Sequence, residues 1–172
     1  MKMHINPRLL ALLLVGPFLF ACSDDDDDPA PRQTERSYTL APVDNSGVSG
    51  KVTFREQDAG TLVILELTGT MAGETHPAHI HGNKAADGGP ILIDLTSVDG
   101  ATGRSETVVT QRNDGTAITY DELIDFNGHV NVHKSLTEMA TLLAQGDIGS
   151  NATGSSNGSN SGNNGGTGGG YN

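Results

Sequence analysis

The sequence predicts an all-β fold, an antiparallel Greek-key β-sandwich or barrel with one or two short helical turns. Three observations predict it. Apolar residues recur with a period of two in short runs, and the runs are separated by turns rich in Gly, Asp and Asn. Only two short stretches carry the start signals of helices. Many short strands with little helix are typical of sandwiches and barrels.

Four runs show the alternation, and in each the apolar residues at every second position share one face of the strand. In the first run, Val52 and Phe54 share a face and Thr53 lies opposite. The runs are KVTFRE (51–56), TLVILELTG (61–69), ILIDL (91–95) and SETVVTQ (105–111). Turn residues that tolerate positive φ surround them at 44–47, 57–60, 98–103 and 113–116.

Two stretches favour short helices instead. TYDELIDF (119–126) and SLTEMATLL (135–143) each open with a hydroxyl residue that is followed three positions later by Glu. This is the capping-box pattern, formed by Thr119 with Glu122 and by Ser135 with Glu138.

Composition divides the chain into four segments. Residues 1–21 have the charged start and apolar centre of a signal peptide, and residues 22–35 form an acidic tether that contains Asp24 to Asp28. Residues 36–149 are expected to form one folded domain. Residues 150–172 are almost entirely Gly, Asn and Ser, which have little to bury, and are predicted to be a disordered tail.

The signal segment ends in Leu-Phe-Ala-Cys, and this resembles the lipobox of bacterial lipoproteins. Its apolar stretch is about 13 residues long, shorter than the roughly 20 that a membrane-spanning helix needs. Cys22 is the single cysteine of the chain and stands where the lipidated residue would be. The alternative is an ordinary signal peptide that is cleaved after Ala21 and leaves a free thiol. The lipoprotein interpretation predicts an extracytoplasmic protein anchored to a bacterial membrane by its N-terminal lipid.

The acidic run after Cys22 gives two further expectations. It is explained by a spacer that holds the domain away from the bilayer. It also resembles the surface-export signals of some Gram-negative lipoproteins, which extends the expected location to the outer membrane or cell surface.

The net charge bears on the possible partners. Cleavage after residue 21 would remove Lys2 and Arg8 and leave 8 basic and 21 acidic side chains, a net charge of −13. Such a surface repels nucleic acid, which is therefore excluded as a partner, and the sequence identifies no protein partner.

Five histidines follow the signal segment, in two short stretches. They are His76, His79, His81, His129 and His133. Because side chains two apart on a strand share a face, His79 and His81 are predicted to project together, as are His129 and His133. If the two strands are neighbours, their rings converge.

Imidazole suits copper or zinc, and a strand fixes the directions of such ligands. His79, His81 and His133 are therefore the candidate metal ligands, with His76 or His129 as further candidates. The alternative is that the rings hydrogen-bond to loop carbonyls and carboxylates and bind no ion.

Three segments resemble the CHRD family, the chordin-type domain found in extracellular proteins and bacterial lipoproteins. They are HPAHIHGNKAADGGPILIDL (76–95), GHVNVHKS (128–135) and LLAQGDIG (142–149). The residues that match the family pattern are His79, Ile80, His81, Gly88, Gly89, Pro90, Leu95, Asn131 and His133. The resemblance covers about residues 36–149 and implies an all-β sandwich outside the cytoplasm. It implies no defined biochemical activity.

The order HIH (79–81), VNVH (130–133), GDIG (146–149) is also similar to copper/zinc superoxide dismutases. That similarity implies His79, His81 and His133 as copper ligands. However, residues 82–128 contain no histidine, so the bridging and zinc ligands of that family are missing. No arginine follows Arg112 to guide an anionic substrate, and one cysteine cannot form the family's disulfide.

Other functional classes find little support. The scattered Asp residues lack the spacing of an EF-hand, and the Asp-Gly pairs are explained by turns. There is no G-x-S-x-G elbow, no phosphate-binding loop between a strand and a helix, and no tryptophan for carbohydrate stacking. The sequence therefore favours a non-enzymatic, lipid-anchored binding or adhesion protein of the envelope. The alternative is a copper-binding redox or copper-sequestering protein.

Overall fold

Alternating apolar residues produce a barrel of antiparallel strands with one short helix. The computed structural model describes residues 34–153 and 156–157. The strands in that part of the chain are β1 (Glu35–Pro42), β2 (Ser49–Gln57), β3 (Gly60–Thr68), β4 (Thr75–Gly82), β5 (Ile91–Asp99), β6 (Arg104–Val109), β7 (Asn127–His133), β8 (Leu142–Gly149) and the two-residue β9 (Ser156–Asn157). The helix α1 (Tyr120–Ile124) lies between β6 and β7.

The strands pair in the order β2-β3-β6-β5-β4-β7-β8-β1, and an additional pairing of β1 with β2 closes the barrel. All of these pairings are antiparallel. Strands β4, β5 and β6 are successive neighbours, and β3 lies beside β6, which is the Greek-key arrangement. The predicted fold class is therefore confirmed as an eight-stranded closed barrel.

The inward faces of the strands form one hydrophobic core. As the alternation predicts, Val52 and Phe54 of β2 are fully buried, and the Phe54 ring packs edge-on against Tyr38 at 5.5 Å. The buried core residues are Tyr38, Leu40, Val48, Val52, Phe54, Val63, Leu65, Leu67, Ala78, Ile80, Ile93, Leu95, Val98, Val109, Ile118, Tyr120, Leu123, Val130, Val132, Ala144 and Ile148. Among the residues that the structure describes, no helix is both long enough and apolar enough to span a membrane.

The signal segment and Cys22 lie outside the described residues, as does the tether up to residue 33 and most of the C-terminal tail. Strand β1 begins at Glu35, beside the predicted boundary of the domain. Strand β9 lies within the predicted tail and pairs with Arg36 and Ser37 of β1.

The capping-box prediction for the first helix is confirmed. Thr119 precedes α1, and its hydroxyl oxygen accepts the Glu122 N–H at 3.3 Å. The Thr119 N–H donates in return to the Glu122 carboxylate at 2.8 Å. These bonds satisfy two backbone N–H groups at the start of the helix, which would otherwise have no partner within it. Leu123 and Tyr120 anchor the helix in the core.

The predicted helix at 135–143 is wrong. The segment forms two successive turns, in which the Glu138 N–H donates to the Ser135 carbonyl and the Thr141 N–H donates to the Glu138 carbonyl, both at 3.1 Å. Strand β8 then begins at Leu142.

The physical reason is the connection that this segment makes. Strands β7 and β8 are neighbours, and the Lys134 N–H donates to the Thr141 carbonyl at 2.8 Å, so the chain must turn back within eight residues. Leu136, the first apolar residue of the segment, is 78% exposed and does not anchor it to the core. The local capping signal is overridden by strand pairing.

The two capping patterns give a matched pair of substitutions. We expect Thr119→Ala to lower the free energy of unfolding by about 1 kcal/mol, because it removes the cap of a real helix. Ser135→Ala removes only an exposed contact with the Thr137 hydroxyl. We expect it to change the free energy of unfolding by less than about 0.5 kcal/mol. Urea unfolding of both variants checks this. Equal losses would contradict the observed difference between the two segments.

Candidate metal centre

The histidine strand β4 lies beside β7, as the metal hypothesis requires. Ala78 pairs with Val132 and Ile80 pairs with Val130, and all four side chains are buried in the core. Their neighbours along each strand must therefore point out of the barrel. The predicted faces of both strands are confirmed.

The outward face of this strand pair carries the imidazoles. His81 lies opposite His129, and His79 lies opposite Asn131, while a register shift precedes His133 at the end of β7. Loops cover this face, so the rings are hidden although they lie outside the barrel. His79, His81 and His133 are only 9%, 8% and 6% exposed.

Three of the rings converge. One ring nitrogen from each of His79, His81 and His133 lies within 4.8 Å of the other two. Points that close fit within about 2.8 Å of a common centre, and imidazole–metal bonds are about 2.0–2.1 Å long. The ring centroids of His79 and His133 are 4.9 Å apart, and those of His81 and His133 are 6.2 Å apart. Small side-chain movements would bring all three nitrogens to one ion.

The ring of His81 is oriented by the loop that follows β4. Its Nδ1 lies 3.0 Å from the Gly89 carbonyl oxygen, which can only accept, so Nδ1 carries the proton. The other nitrogen, Nε2, is buried and finds no hydrogen-bond partner among the described residues. A Cβ at position 89 would lie 2.0 Å from the Gly82 carbonyl oxygen, so only glycine lets the loop come this close. Nε2 therefore keeps its lone pair, which is available to an ion.

The ring of His133 is oriented in the same way by the β7–β8 loop. Its Nδ1 donates to the Met139 carbonyl at 2.6 Å, which leaves Nε2 with a lone pair. That Nε2 lies 3.1 Å from Nδ1 of His79. Without an ion, His79 can donate a hydrogen bond across this gap. With an ion, both nitrogens can serve as ligands.

The carboxylate of Asp94 lies beside the third ring. Its Oδ1 is 3.7 Å from Nε2 of His79, and the two residues are cross-strand partners in β5 and β4. This separation is longer than a hydrogen bond, and the Asp94 side chain is largely exposed. When an ion is bound at Nδ1 of His79, the proton of this ring would be on Nε2, where the Asp94 carboxylate favours it.

Burial lowers the pKa of His79, His81 and His133 below the ordinary value of 6.5, because it penalises the charged imidazolium. At His79 the neighbouring His133 lowers the pKa further, and Asp94 raises it by a smaller amount. The Gly89 carbonyl opposes burial at His81, and the Met139 carbonyl opposes it at His133. The three rings are therefore neutral at pH 7, which is the form that binds metal.

The two further candidate ligands lie outside the cluster of three. His129 stacks on His81 with ring centroids 4.9 Å apart, and its Nδ1 lies 2.8 Å from the Asn83 carbonyl oxygen. His76 is fully buried, and its Nδ1 lies 2.9 Å from the Lys134 carbonyl oxygen. A register shift between His76 and Ala78, at Pro77, separates His76 from the alternation of the strand.

Asp147 fixes the loop between β4 and β5, and carbonyls of that loop orient the rings of His81 and His129. Its Oδ1 accepts the Ala85 N–H at 2.6 Å, and Ala85 lies in the loop that carries both the Asn83 and Gly89 carbonyls. The turn interpretation of other Asp residues also holds, since Asp99 and Asp114 accept backbone N–H groups of their own turns.

The sequence did not identify Gly89, Met139 and Asp94 as parts of the site. The first two contribute main-chain carbonyls, which have no residue signature. Asp94 had a signal, because the alternation of ILIDL places it on the face opposite the core. Using that signal requires knowing that Asp94 is the cross-strand partner of His79, which the sequence does not show.

The sequence matches no protein-family model and no curated protein. The two family resemblances therefore stay predictions. The case for a functional site rests on the geometry of the three rings.

The lowered pKa values predict how stability depends on pH. A group whose pKa is lowered on folding binds protons more readily in the unfolded chain, so acid favours unfolding. We expect the free energy of unfolding of the metal-free protein to fall as the pH drops below 6.5, the ordinary histidine value. Urea unfolding in chelator between pH 8 and pH 5 measures this.

A variant in which position 81 does not titrate is the control. His81→Gln should have a shallower decline over the same pH range, whatever its stability at pH 8. A slope equal to that of the wild type would show that this histidine does not contribute.

Proposed function

We propose that the domain binds one copper or zinc ion through Nδ1 of His79 and Nε2 of His81 and His133, in a non-enzymatic role. The convergence of one ring nitrogen from each of the three histidines within 4.8 Å carries the proposal, and Nδ1 of His79 already lies 3.1 Å from Nε2 of His133. The second ring nitrogens support it, because His81 and His133 both donate to main-chain carbonyls. Histidines that ligate metals usually donate their other N–H in this way.

Three neutral imidazoles are a donor set for copper or zinc and leave at least one coordination position to water or a fourth donor. Divalent copper binds such sites more tightly than zinc does, by the general order of metal affinities. The buried side chains of Ile80, Val130 and Val132 lie on the opposite face of the two strands. They hold the strands in register and so limit the movement of the ligands.

Metal titration tests the proposal. We expect the purified wild-type protein to take up one equivalent of Cu²⁺ at these histidines. The double substitution His81→Ala and His133→Ala should abolish that uptake, because a single remaining imidazole does not retain the ion. Calorimetry followed by elemental analysis after desalting measures both. Uptake that is unchanged in the double variant would remove the proposal.

Two carboxylate variants separate direct effects from changes in surface charge. Asp94→Asn should weaken binding by up to about 10-fold, since Asp94 lies beside a ligand ring. Asp87→Asn removes another largely exposed carboxylate, which lies near Lys84, and should leave the affinity unchanged. Equal effects would mean that only net charge matters.

We also propose that the protein is a lipid-anchored envelope protein with a CHRD-type domain. The lipobox-like sequence ending at Cys22 supports the anchor, and the acidic tether supports placement at the membrane surface. An all-β domain, which the family resemblance implies, supports the CHRD assignment. Binding or adhesion at the outer membrane or cell surface is the corresponding role.

Substitution of Cys22 tests the anchor. Cys22→Ser should move the protein from the membrane fraction to the soluble fraction and remove the lipid mass, because the acyl chains supply the membrane affinity. Fractionation with intact-mass spectrometry measures this. A variant that stays wholly in the membrane fraction would contradict the anchoring proposal.

A copper-dependent redox or copper-sequestering role is the second candidate. The open coordination position favours redox chemistry at a bound ion. Asp94 is an anion beside the cluster, which disfavours an anionic substrate such as superoxide, and no arginine follows Arg112 in the sequence. A superoxide assay on the copper-loaded protein distinguishes the two roles. Activity that is lost in the double histidine variant would indicate an enzyme.

A further inference from the structure

His76 lies at the start of β4, outside the cluster of three, and has an unusual environment of its own. Its ring is 0% exposed. Its Nδ1 lies 2.9 Å from the Lys134 carbonyl oxygen, which can only accept, so Nδ1 carries a proton. In the neutral ring the other nitrogen, Nε2, therefore carries a lone pair.

That lone pair faces another electron-pair donor. Nε2 of His76 is buried and finds no hydrogen-bond partner among the described residues. The group it faces is the carboxylate of Glu74, whose Oε2 lies 3.6 Å away. A buried nitrogen left unpaired destabilises the fold, and the neighbouring carboxylate adds repulsion. A positive species between the two atoms would pair with the nitrogen and offset the charge of the carboxylate.

The separation of the two atoms indicates what fits between them. At 3.6 Å the nitrogen and the oxygen are too far apart for a hydrogen bond. Zinc binds imidazole nitrogen at about 2.0–2.1 Å and carboxylate oxygen at about 2.0–2.2 Å, so two ligands in tetrahedral geometry lie about 3.4 Å apart. A zinc-sized ion can therefore contact both atoms with little movement.

The Glu74 side of the pair is open to solvent. Its side chain is 41% exposed and lines a groove of about 470 Å³ between the β3–β4 and β7–β8 loops. Lys134 and Glu138 lie in the same groove and form an ion pair with each other at 2.6 Å. Ions can enter by this groove, and water there can fill the remaining coordination positions.

We propose that His76 Nε2 and the Glu74 carboxylate form a second site for a divalent cation of the zinc class, completed by water. With two protein donors, the site is open and exchanges its ion with solvent, unlike a closed structural zinc site. It is separate from the three-histidine cluster and does not depend on the function proposed for that cluster.

Zinc titration of the whole protein by calorimetry tests this site, with Co²⁺ spectra to report the ligands. Wild type should take up two equivalents, one at each site. Glu74→Gln keeps the size of the side chain but removes its charge, and it should lose one equivalent. Glu138→Gln changes a carboxylate in the same groove that is already paired with Lys134, and it should keep both.

The variant His81→Ala with His133→Ala separates the two proposals. It should keep the equivalent that Glu74→Gln loses. If wild type binds one equivalent and Glu74→Gln binds none, the second site stands and the three-histidine proposal fails.

The second site is overturned if Glu74→Gln binds as much zinc as wild type. It is also overturned if nitrogen NMR at saturating zinc shows protons on both ring nitrogens of His76. In that case a proton, and not a metal ion, lies between the ring and Glu74.

Discussion

The antiparallel pairing of β4 with β7 is the interaction on which the rest of the structure depends. With the observed register, this pairing places Ile80 and Val130 in the core and brings the imidazoles together on the outer face. Because side chains alternate with a period of two, a slip of one residue would turn the apolar set outward and the histidines inward. The hydrophobic free energy of the core therefore also determines the geometry of the histidine cluster.

Much of the cluster could be predicted from the sequence, because the faces of a strand follow from backbone geometry alone. The spacing of His79 and His81 was enough to place them together, and the position of His133 followed from the same alternation. What periodicity does not supply is which strands are neighbours. Here β7 reaches β4 only through the long crossover that contains α1, so the convergence of the rings remained conditional on a pairing that local sequence does not encode.

Apart from the two-residue β9, two strands were not predicted from the sequence, for different reasons. In β1 the alternation was present, since Tyr38 and Leu40 are buried while their neighbours are less so, but the run lies next to a polar tether. In β8 the signal is weak, because Gly146 lies where a Cβ would come within 2.1 Å of the Thr39 carbonyl oxygen. Close packing against β1 therefore selects a residue with poor strand propensity. The pairing of β7 with β8 overrode the capping pattern at 135–143.

The histidine rings are oriented by main-chain oxygens of loop residues, among them Gly89 and Met139. This has a consequence for mutational scanning. An alanine scan removes side chains and not main-chain carbonyls, so replacing Met139 would leave its contact with His133 intact. Gly89 is the exception, because a Cβ there would lie 2.0 Å from the Gly82 carbonyl oxygen. The loops can also change most of their side chains during evolution while the rings keep their orientation. What such loops must preserve is the path of the backbone, so insertions and deletions should be tolerated less than substitutions.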